Sequence, residues 1–245
     1  MDQKLLLISN STNAGEDYLA WPRMFIKEFY RESGAKSILF IPYAGVNLAT
    51  ESVATSYDVY EKRVASVFSH LALDIYSIHR EPDPVAAVRN AEAIAVGGGN
   101  TFHLVKKLHE TGVMEAIRKR VREGIPYAGW SAGSNVACPT LKTTNDMPIS
   151  EPSSFSCMNL IPFQINPHYL DTNPTGFAGE TREQRILEFL TVNRDIYVVG
   201  LREGCLLKLV GKKLELVGNR SLRVFRFGAE PKEYPTGENL DFLLY

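Results

Sequence analysis

Apolar and polar positions alternate in blocks along most of this chain, and the period changes from block to block. Short apolar runs bounded by polar or glycine-rich turns recur at Lys4–Ser9, Ser37–Ile41, Leu73–Ile78, Ala93–Val96 and Pro126–Gly129. Runs of this length and composition predict buried strands. Between them the apolar residues fall at helical spacing. Pro22–Arg31 predicts a helix with Met24, Phe25 and Phe29 helping to form its apolar side, and Tyr57–Leu71 predicts one with Val64, Val67, Phe68 and Leu71 inward. Pro84–Asn90 predicts a short helix with proline near its start, where the missing N–H is harmless. Thr101–Leu108 and Val113–Arg122 predict two more. Strands alternating with helices point to a mostly parallel sheet covered by helices on both faces.

The pattern changes after Ser134. Cys138–Phe163 carries Pro139, Pro148, Pro152 and Pro162 among many Ser, Thr and Asn residues. It predicts a long loop region with short strands, a common setting for binding residues. Helical spacing returns over Thr181–Val192, and Asp195–Leu201 predicts a strand. Leu206–Val210 and Lys213–Val217 flank Gly211-Lys212 as the arms of a hairpin. Ser221–Phe227 adds a further strand, so the sheet is expected to end in antiparallel strands. With no repeat and no linker, residues 1–245 are expected to form one α/β domain.

Composition narrows the partners more than the fold. The 245 residues are 44% hydrophobic and 22% charged, with a formal net charge of -1. No global field therefore invites nucleic acid or an acidic membrane surface. No apolar run is long enough to span a bilayer. The start, Met1-Asp2-Gln3-Lys4-Leu5-Leu6-Leu7, lacks the basic region, longer apolar stretch and cleavage site of a secretory leader. Cys138, Cys157 and Cys205 are odd in number and show no metal-ligand spacing, so a reduced, cytoplasmic setting is expected.

Candidate chemistry centres on Gly129-Trp130-Ser131-Ala132-Gly133, a G-x-S-x-G pattern at the end of an apolar run. The flanking glycines let a strand and a following helix approach closely, and the turn between them pushes the serine hydroxyl out above the sheet. That helix would aim its N–H groups and its dipole at the same place. A glycine-rich βα loop with an incidental serine is the blander reading. A serine needs a base, and five histidines are available. His70 and His79 suit solvated surface positions. His103 and His109 lie six apart, off a common helix ridge, although His103 follows a glycine loop closely. His168, in Asn166-Pro167-His168-Tyr169, follows a possible strand, where α/β enzymes place catalytic groups.

The imidazole needs an acidic partner in turn. Asp146, in Thr143-Thr144-Asn145-Asp146-Met147-Pro148, and Glu203, in Gly200-Leu201-Arg202-Glu203-Gly204, are the candidates. A turn-forming role for Asp146 and an exposed charge for Glu203 are the plain alternatives. Gly97-Gly98-Gly99-Asn100 is a second glycine-rich strand-to-helix junction. It matches neither G-x-x-x-x-G-K-[ST] nor G-x-G-x-x-G, which weakens a phosphate-cradle reading. The Gly99 and Ala132 N–H groups would instead make a two-donor oxyanion hole.

Taken together and in order, these motifs resemble those of the peptidase E family, the α-aspartyl dipeptidases among the serine peptidases. The resemblance runs from about the first strand to the Glu203 region. It implies a flavodoxin-like fold similar to class I glutamine amidotransferase domains. It also implies Ser131 as nucleophile, His168 as base, Glu203 as acid, and Gly99 and Ala132 as the oxyanion hole. Asp146 falls on a family aspartate that rivals Glu203 for the acid role. Arg182 and Asn100 are implied as substrate-binding residues, Arg182 as reader of the substrate aspartate's carboxylate. Arg182 also stands in register with Ile186 and Phe189 on the inward side of its helix, and a guanidinium fork suits a carboxylate. The expectation is a serine exopeptidase cleaving Asp-X dipeptides with no metal and no cofactor. The alternatives are a cyanophycinase-like β-aspartyl hydrolase and a non-catalytic nucleotide- or small-ligand-binding module.

Overall fold

The computed structural model describes residues 2–173, 175–176 and 178–245. Five strands run parallel: β1 (Lys4–Ile8), β2 (Ser37–Ile41), β3 (Asp74–Ser77), β4 (Ala93–Val96) and β5 (Tyr127–Trp130). β8 (Cys205–Val210) and β9 (Lys213–Gly218) extend the sheet as an antiparallel hairpin, giving the order β3-β2-β4-β5-β1-β8-β9. Strands β2 to β5 thus follow the doubly wound order, and β1 occupies the fifth place. In such sheets the order reverses at one point, here between β2 and β4, and ligands bind there beyond the strands' carboxyl ends.

Helices cover both faces, and most of the predicted elements form where expected. Helix α1 (Arg23–Ser33) buries Ile26, Phe29 and Tyr30. Met24 is 64% exposed and Phe25 37% exposed, contrary to expectation. The stripe at Ile26, Phe29 and Tyr30 keeps the i, i+3, i+4 spacing, and only one such stripe can face the sheet. Helix α2 (Val53–Ser69) starts earlier than its apolar spacing predicts, because the Ser52 side chain accepts from the Thr55 N–H at 3.0 Å and caps it. Helices α3 (Pro84–Asn90), α4 (Thr101–Glu110) and α5 (Val113–Arg122) pack with Val88, Leu104, Val105, Leu108 and Ile117 fully buried. Helix α6 (Ala132–Asn135) is a single turn. It cannot lengthen, because the Val136, Ala137 and Cys138 carbonyls accept from Met158, Leu160 and Asn159.

A second sheet, beyond the one expected, accompanies the antiparallel ending that β8 and β9 give the first as predicted. It has the order β11-β10-β7-β6, formed by β6 (Gln164–Pro167), β7 (Val198–Leu201), β10 (Leu222–Phe225) and β11 (Lys232–Tyr234). β6 and β7 are parallel, joined through helix α7 (Arg182–Val192), and Pro167 pairs with Leu201. Leu5, Leu7 and Ile94 of the first sheet and Ile165, Val199 and Leu222 of the second belong to one buried cluster. The loop from Cys138 to Phe163 holds a Thr140–Ser156 bridge in place of the expected short strands.

Candidate active site

The strand ends converge. β5 delivers Ser131, β4 delivers the Gly97–Gly99 loop, and β6 and β7 deliver the residues after Pro167 and Leu201. The G-x-S-x-G expectation rests on close backbone approach, and the packing of the two glycines shows why. A Cβ on Gly129 would run into the Gly133 carbonyl, and one on Gly133 into the Val96 carbonyl. Ser131 between them has φ 54, ψ -113, and its N–H is tied to the Ile8 carbonyl at 3.0 Å. A left-handed non-glycine residue costs about 1–3 kcal/mol and persists only where its surroundings over-determine it. His168 is the other such residue at this place, with φ 52.

His168 Nε2 lies 2.8 Å from Ser131 Oγ, and His168 Nδ1 lies 2.7 Å from Glu203 Oε1. The parallel register of β6 and β7 explains the second distance, since each residue stands just past a paired strand end. Both side chains are part-exposed, at 38% and 43%. With Nδ1–H donated to the carboxylate, the Nε2 lone pair faces the hydroxyl.

Two residues absent from the sequence argument hold this pair in place. Ser9, fully buried, accepts the His168 backbone N–H at 2.9 Å and donates to the Leu201 carbonyl at 2.7 Å. Asn10 Oδ1 accepts the Gly204 N–H at 2.9 Å. Their only signal in the sequence was their place at the end of the run predicted as the first strand, Ser9 closing it and Asn10 following it. A network of Asn166, Asn145 and Thr143 supports the same loop: Asn145 donates to the Pro167 carbonyl at 2.7 Å, and Asn166 donates to Asn145 Oδ1 and the Thr143 carbonyl.

Gly99 has φ 133, and a Cβ there would strike the Ala44 carbonyl oxygen. Asn100 N–H donates to that same oxygen at 2.9 Å. The loop is therefore pinned across the switch point. Ala132 N–H follows Ser131 directly at the start of the short α6, which supplies N–H groups but too few peptides for the expected dipole.

Asp146 sits on the first turn of α4. It accepts from Thr101 N–H at 2.7 Å, Thr101 Oγ1 at 2.6 Å and Thr144 Oγ1 at 3.1 Å. Among the described residues it makes no hydrogen bond to His168. Asn100 caps α4 through Oδ1 to the His103 N–H and donates from Nδ2 to the Met147 carbonyl at 2.8 Å. Both ends of its amide are thus engaged in holding the Asp146 loop to the helix.

Arg182 stands half-buried on the first turn of α7. Burial, then the neighbouring Arg185 charge, hold its guanidinium below the usual value, while the Asp146 carboxylate opposes them. Arg185 pairs with Glu180 at 3.6 Å. Arg202 is 8% exposed and bound to Asp171 and Glu233, which raise its pKa strongly. It makes no ion pair with Glu203.

Of the other histidines, His103 Nε2 contacts Tyr57 Oη at 2.8 Å and His109 Nε2 lies 3.0 Å from the Ser156 carbonyl oxygen. His79 corrects a surface expectation. Its side chain is 11% exposed and meets Ser77 Oγ and Asp58 Oδ1 at 2.6 and 3.1 Å. With Asp58 and Glu61 it forms the single His/Asp/Glu/Cys group among the described residues able to converge on a metal. Arg80 occupies both of those carboxylates, so the group is an ion-pair network. Cys138, Cys157 and Cys205 are free and buried. No helix among the described residues is long and apolar enough to cross a membrane.

A serine from the doubly wound sheet thus lies in line with a histidine and a glutamate from the second sheet, in an α/β fold, an arrangement that suits a hydrolase with a serine nucleophile. The sequence pattern of peptidase family S51 matches residues 5–217. The chain is 51% identical over 244 residues to a peptidase E of Nostoc sp., covering 100% of this chain and 98% of that one. It is 45% identical over 241 residues to a peptidase E of Streptomyces coelicolor, covering 98% and 94%. A solved peptidase from an acI-B1 Actinobacterium superposes with a TM-score of 0.72 at 19% identity, covering 97% of this chain and 96% of that one. At that identity the likeness concerns the fold alone. The chain belongs to peptidase family S51. Membership of a peptidase family sets aside the non-catalytic ligand-binding reading of the Gly97–Gly99 loop.

Proposed function

We propose that the chain is a serine dipeptidase that removes an N-terminal aspartate from Asp-X, with Ser131, His168 and Glu203 as its triad. The observation that carries the reading is the 2.8 Å contact between Ser131 Oγ and His168 Nε2, continued at 2.7 Å to Glu203. His168 Nε2 takes the hydroxyl proton as Ser131 Oγ bonds to the aspartyl carbonyl carbon. The oxyanion that forms accepts from the Gly99 and Ala132 N–H groups. The imidazolium, steadied by Glu203, returns its proton to the leaving amine as the C–N bond breaks. Water, deprotonated by His168, then attacks the acyl-enzyme, and aspartate and Ser131 are released.

Arg182 is the proposed reader of the aspartyl side chain. Its half-buried position without an ion-pair partner among the described residues supports this, because a guanidinium so placed gains most from a carboxylate. Asp146 and Asn100 hold the Gly99 loop and α4 in register, and Asn100 is proposed to bound the substrate there. Residues 1–245 act as one unit in this reading, since Ser131 comes from one sheet and His168 and Glu203 from the other. A cytoplasmic setting is proposed with it, and the three free, buried thiols fit a reducing compartment. Hydrolysis of a panel of Asp-X, Glu-X, Asn-X and β-Asp-X dipeptides tests the reading. Cleavage confined to Asp-X supports it; turnover of β-Asp-X in preference points to the β-aspartyl hydrolase.

A further inference from the structure

A cavity of about 200 Å³ opens beside Ser131 at the reversal point between β2 and β4. Ser131, His168, Gly98, Leu48, Tyr18 and Arg63 are among the residues that line it. No acid is among the described residues that line it. The wall is stiff: Tyr18 Oη donates to Tyr60 Oη at 3.2 Å, and Tyr60 Oη donates to the Gly98 carbonyl at 3.0 Å. Trp130 Nε1 also donates to Tyr60 Oη at 3.0 Å. Arg63 is exposed on α2, with its guanidinium carbon 5.6 Å from the centre of the Tyr18 ring. The acids on its own helix, Asp58 and Glu61, are taken by Arg80 and His79. Among the described residues Arg63 has no ion-pair partner. Arg182 does not line this cavity; its acidic neighbour is Asp146 on the α4 side.

Arg63 thus lines the cavity beside Ser131 while Arg182 stands elsewhere, within electrostatic reach of Asp146, and neither guanidinium forms an ion pair among the described residues. An Asp-X dipeptide carries two carboxylates, one on the aspartyl side chain and one at its C-terminus. His168 lines the cavity and, as proton donor to the leaving amine, faces the residue beyond the scissile bond. We propose that this cavity is the subsite for the departing residue, and that Arg63 binds its free C-terminal carboxylate. The inference rests on the reading of Ser131 as nucleophile and His168 as its proton carrier. Tyr18 and Leu48 then offer the departing side chain an aromatic and an aliphatic surface. The small volume and the terminal cation together favour a dipeptide over a longer peptide, whose chain would continue where Arg63 expects a charge.

The test is kcat/KM for Asp-Leu, Asp-Leu-amide and Asn-Leu with the wild type, Arg63→Gln and Arg63→Lys, each checked for folding by circular dichroism. The wild type should favour Asp-Leu over its amide by about tenfold or more, the scale of one charge-assisted hydrogen-bonded contact. Arg63→Gln should bring that ratio close to one through KM, Arg63→Lys should restore part of it, and the Asp-over-Asn ratio should persist in both. A wild type indifferent to the amide overturns the inference and leaves the triad reading standing. So does an Arg63→Gln enzyme that keeps the acid preference. Loss of the Asp-over-Asn ratio in Arg63→Gln overturns it too, because Arg63 would then read the aspartyl side chain. A wild type that cleaves none of the three contradicts the proposed function and this subsite together.

Discussion

The Ser9 hydroxyl accepts the His168 backbone N–H at 2.9 Å, and through its own proton reaches the Leu201 carbonyl at 2.7 Å. One side chain at the end of β1 therefore joins the sheet that carries the proposed nucleophile to the two strands that carry its base and acid. With φ 52 at His168, this bond helps to hold a backbone conformation that a non-glycine residue would otherwise leave.

Ser9→Ala removes that tie and leaves the part-buried His168 N–H without its partner, while the Leu201 carbonyl keeps only the Tyr169 N–H at 3.1 Å. An N–H so orphaned costs about 1–3 kcal/mol, so the melting temperature should fall. Displacement of the imidazole by an ångström costs on the order of 10²-fold in rate, so kcat should drop while KM for Asp-Leu holds. Equal loss in both, or in neither, would mean that the bond serves stability alone.

Glu203 and Asp146 are separated by parallel substitutions. Glu203→Gln preserves shape but favours the wrong imidazole tautomer, and kcat should fall on the order of 10⁴-fold. Asp146→Asn should cost less than about tenfold in kcat and about 1 kcal/mol of stability, as expected for an anion on a helix first turn. The comparison is of kcat in the two purified variants. A collapse of turnover in Asp146→Asn with near-normal turnover in Glu203→Gln would transfer the acid role.

Arg182→Ala should raise KM for Asp-Leu and reduce the Asp-over-Asn ratio, with Arg182→Lys intermediate because a point charge lacks the fork geometry. Kinetics on Asp-Leu and Asn-Leu measure both. An undiminished ratio in Arg182→Ala would move the role elsewhere. Arg202 is not available for it, being buried between Asp171 and Glu233.

That ion network also sets an acid limit. Hydrogen bonds from Arg202, ahead of burial, hold the Asp171 and Glu233 carboxyls below their ordinary 3.8 and 4.5. A lowered folded-state pKa gives stability that is fully present above the unfolded value and lost as pH falls through the folded one. The melting temperature should therefore be flat with respect to these groups above about pH 4.5 and decline below it. Arg202→Leu should lower it throughout and flatten the decline. Both carboxylates are partly exposed, so screening keeps the effect modest. A melting curve that falls identically in wild type and variant would contradict this.

The legible parts of the chain were those whose cause is local. Ala93–Val96 and Ser37–Ile41 are apolar runs between turn residues, and both strands have the predicted bounds. The serine turn was legible because close packing of Gly129 on Gly133 demands those two residues. β6 was visible only as a possible strand, since Gln164–Pro167 is short and carries an amide and a proline. The second sheet depends on pairing Leu222–Phe225 with a strand more than twenty residues away, which no local period encodes. Ser9 and Asn10 meet the site only through the strand order, and Arg63 only through the packing of α2, so no local pattern in the sequence marked them. His79 misled for the opposite reason: a strand-flanking histidine looks solvated until Asp58 and Ser77 close around it.

The central claim is that Ser131 attacks the peptide carbonyl with His168 as its base. Turnover of Asp-Leu by Ser131→Ala, in a variant verified as folded, tests it most directly. Loss of a triad serine removes on the order of 10⁶-fold in kcat, and the account predicts a fall of that scale with substrate still bound. A folded Ser131→Ala enzyme that turns over within about a hundredfold of the wild type, far from that scale, would contradict it.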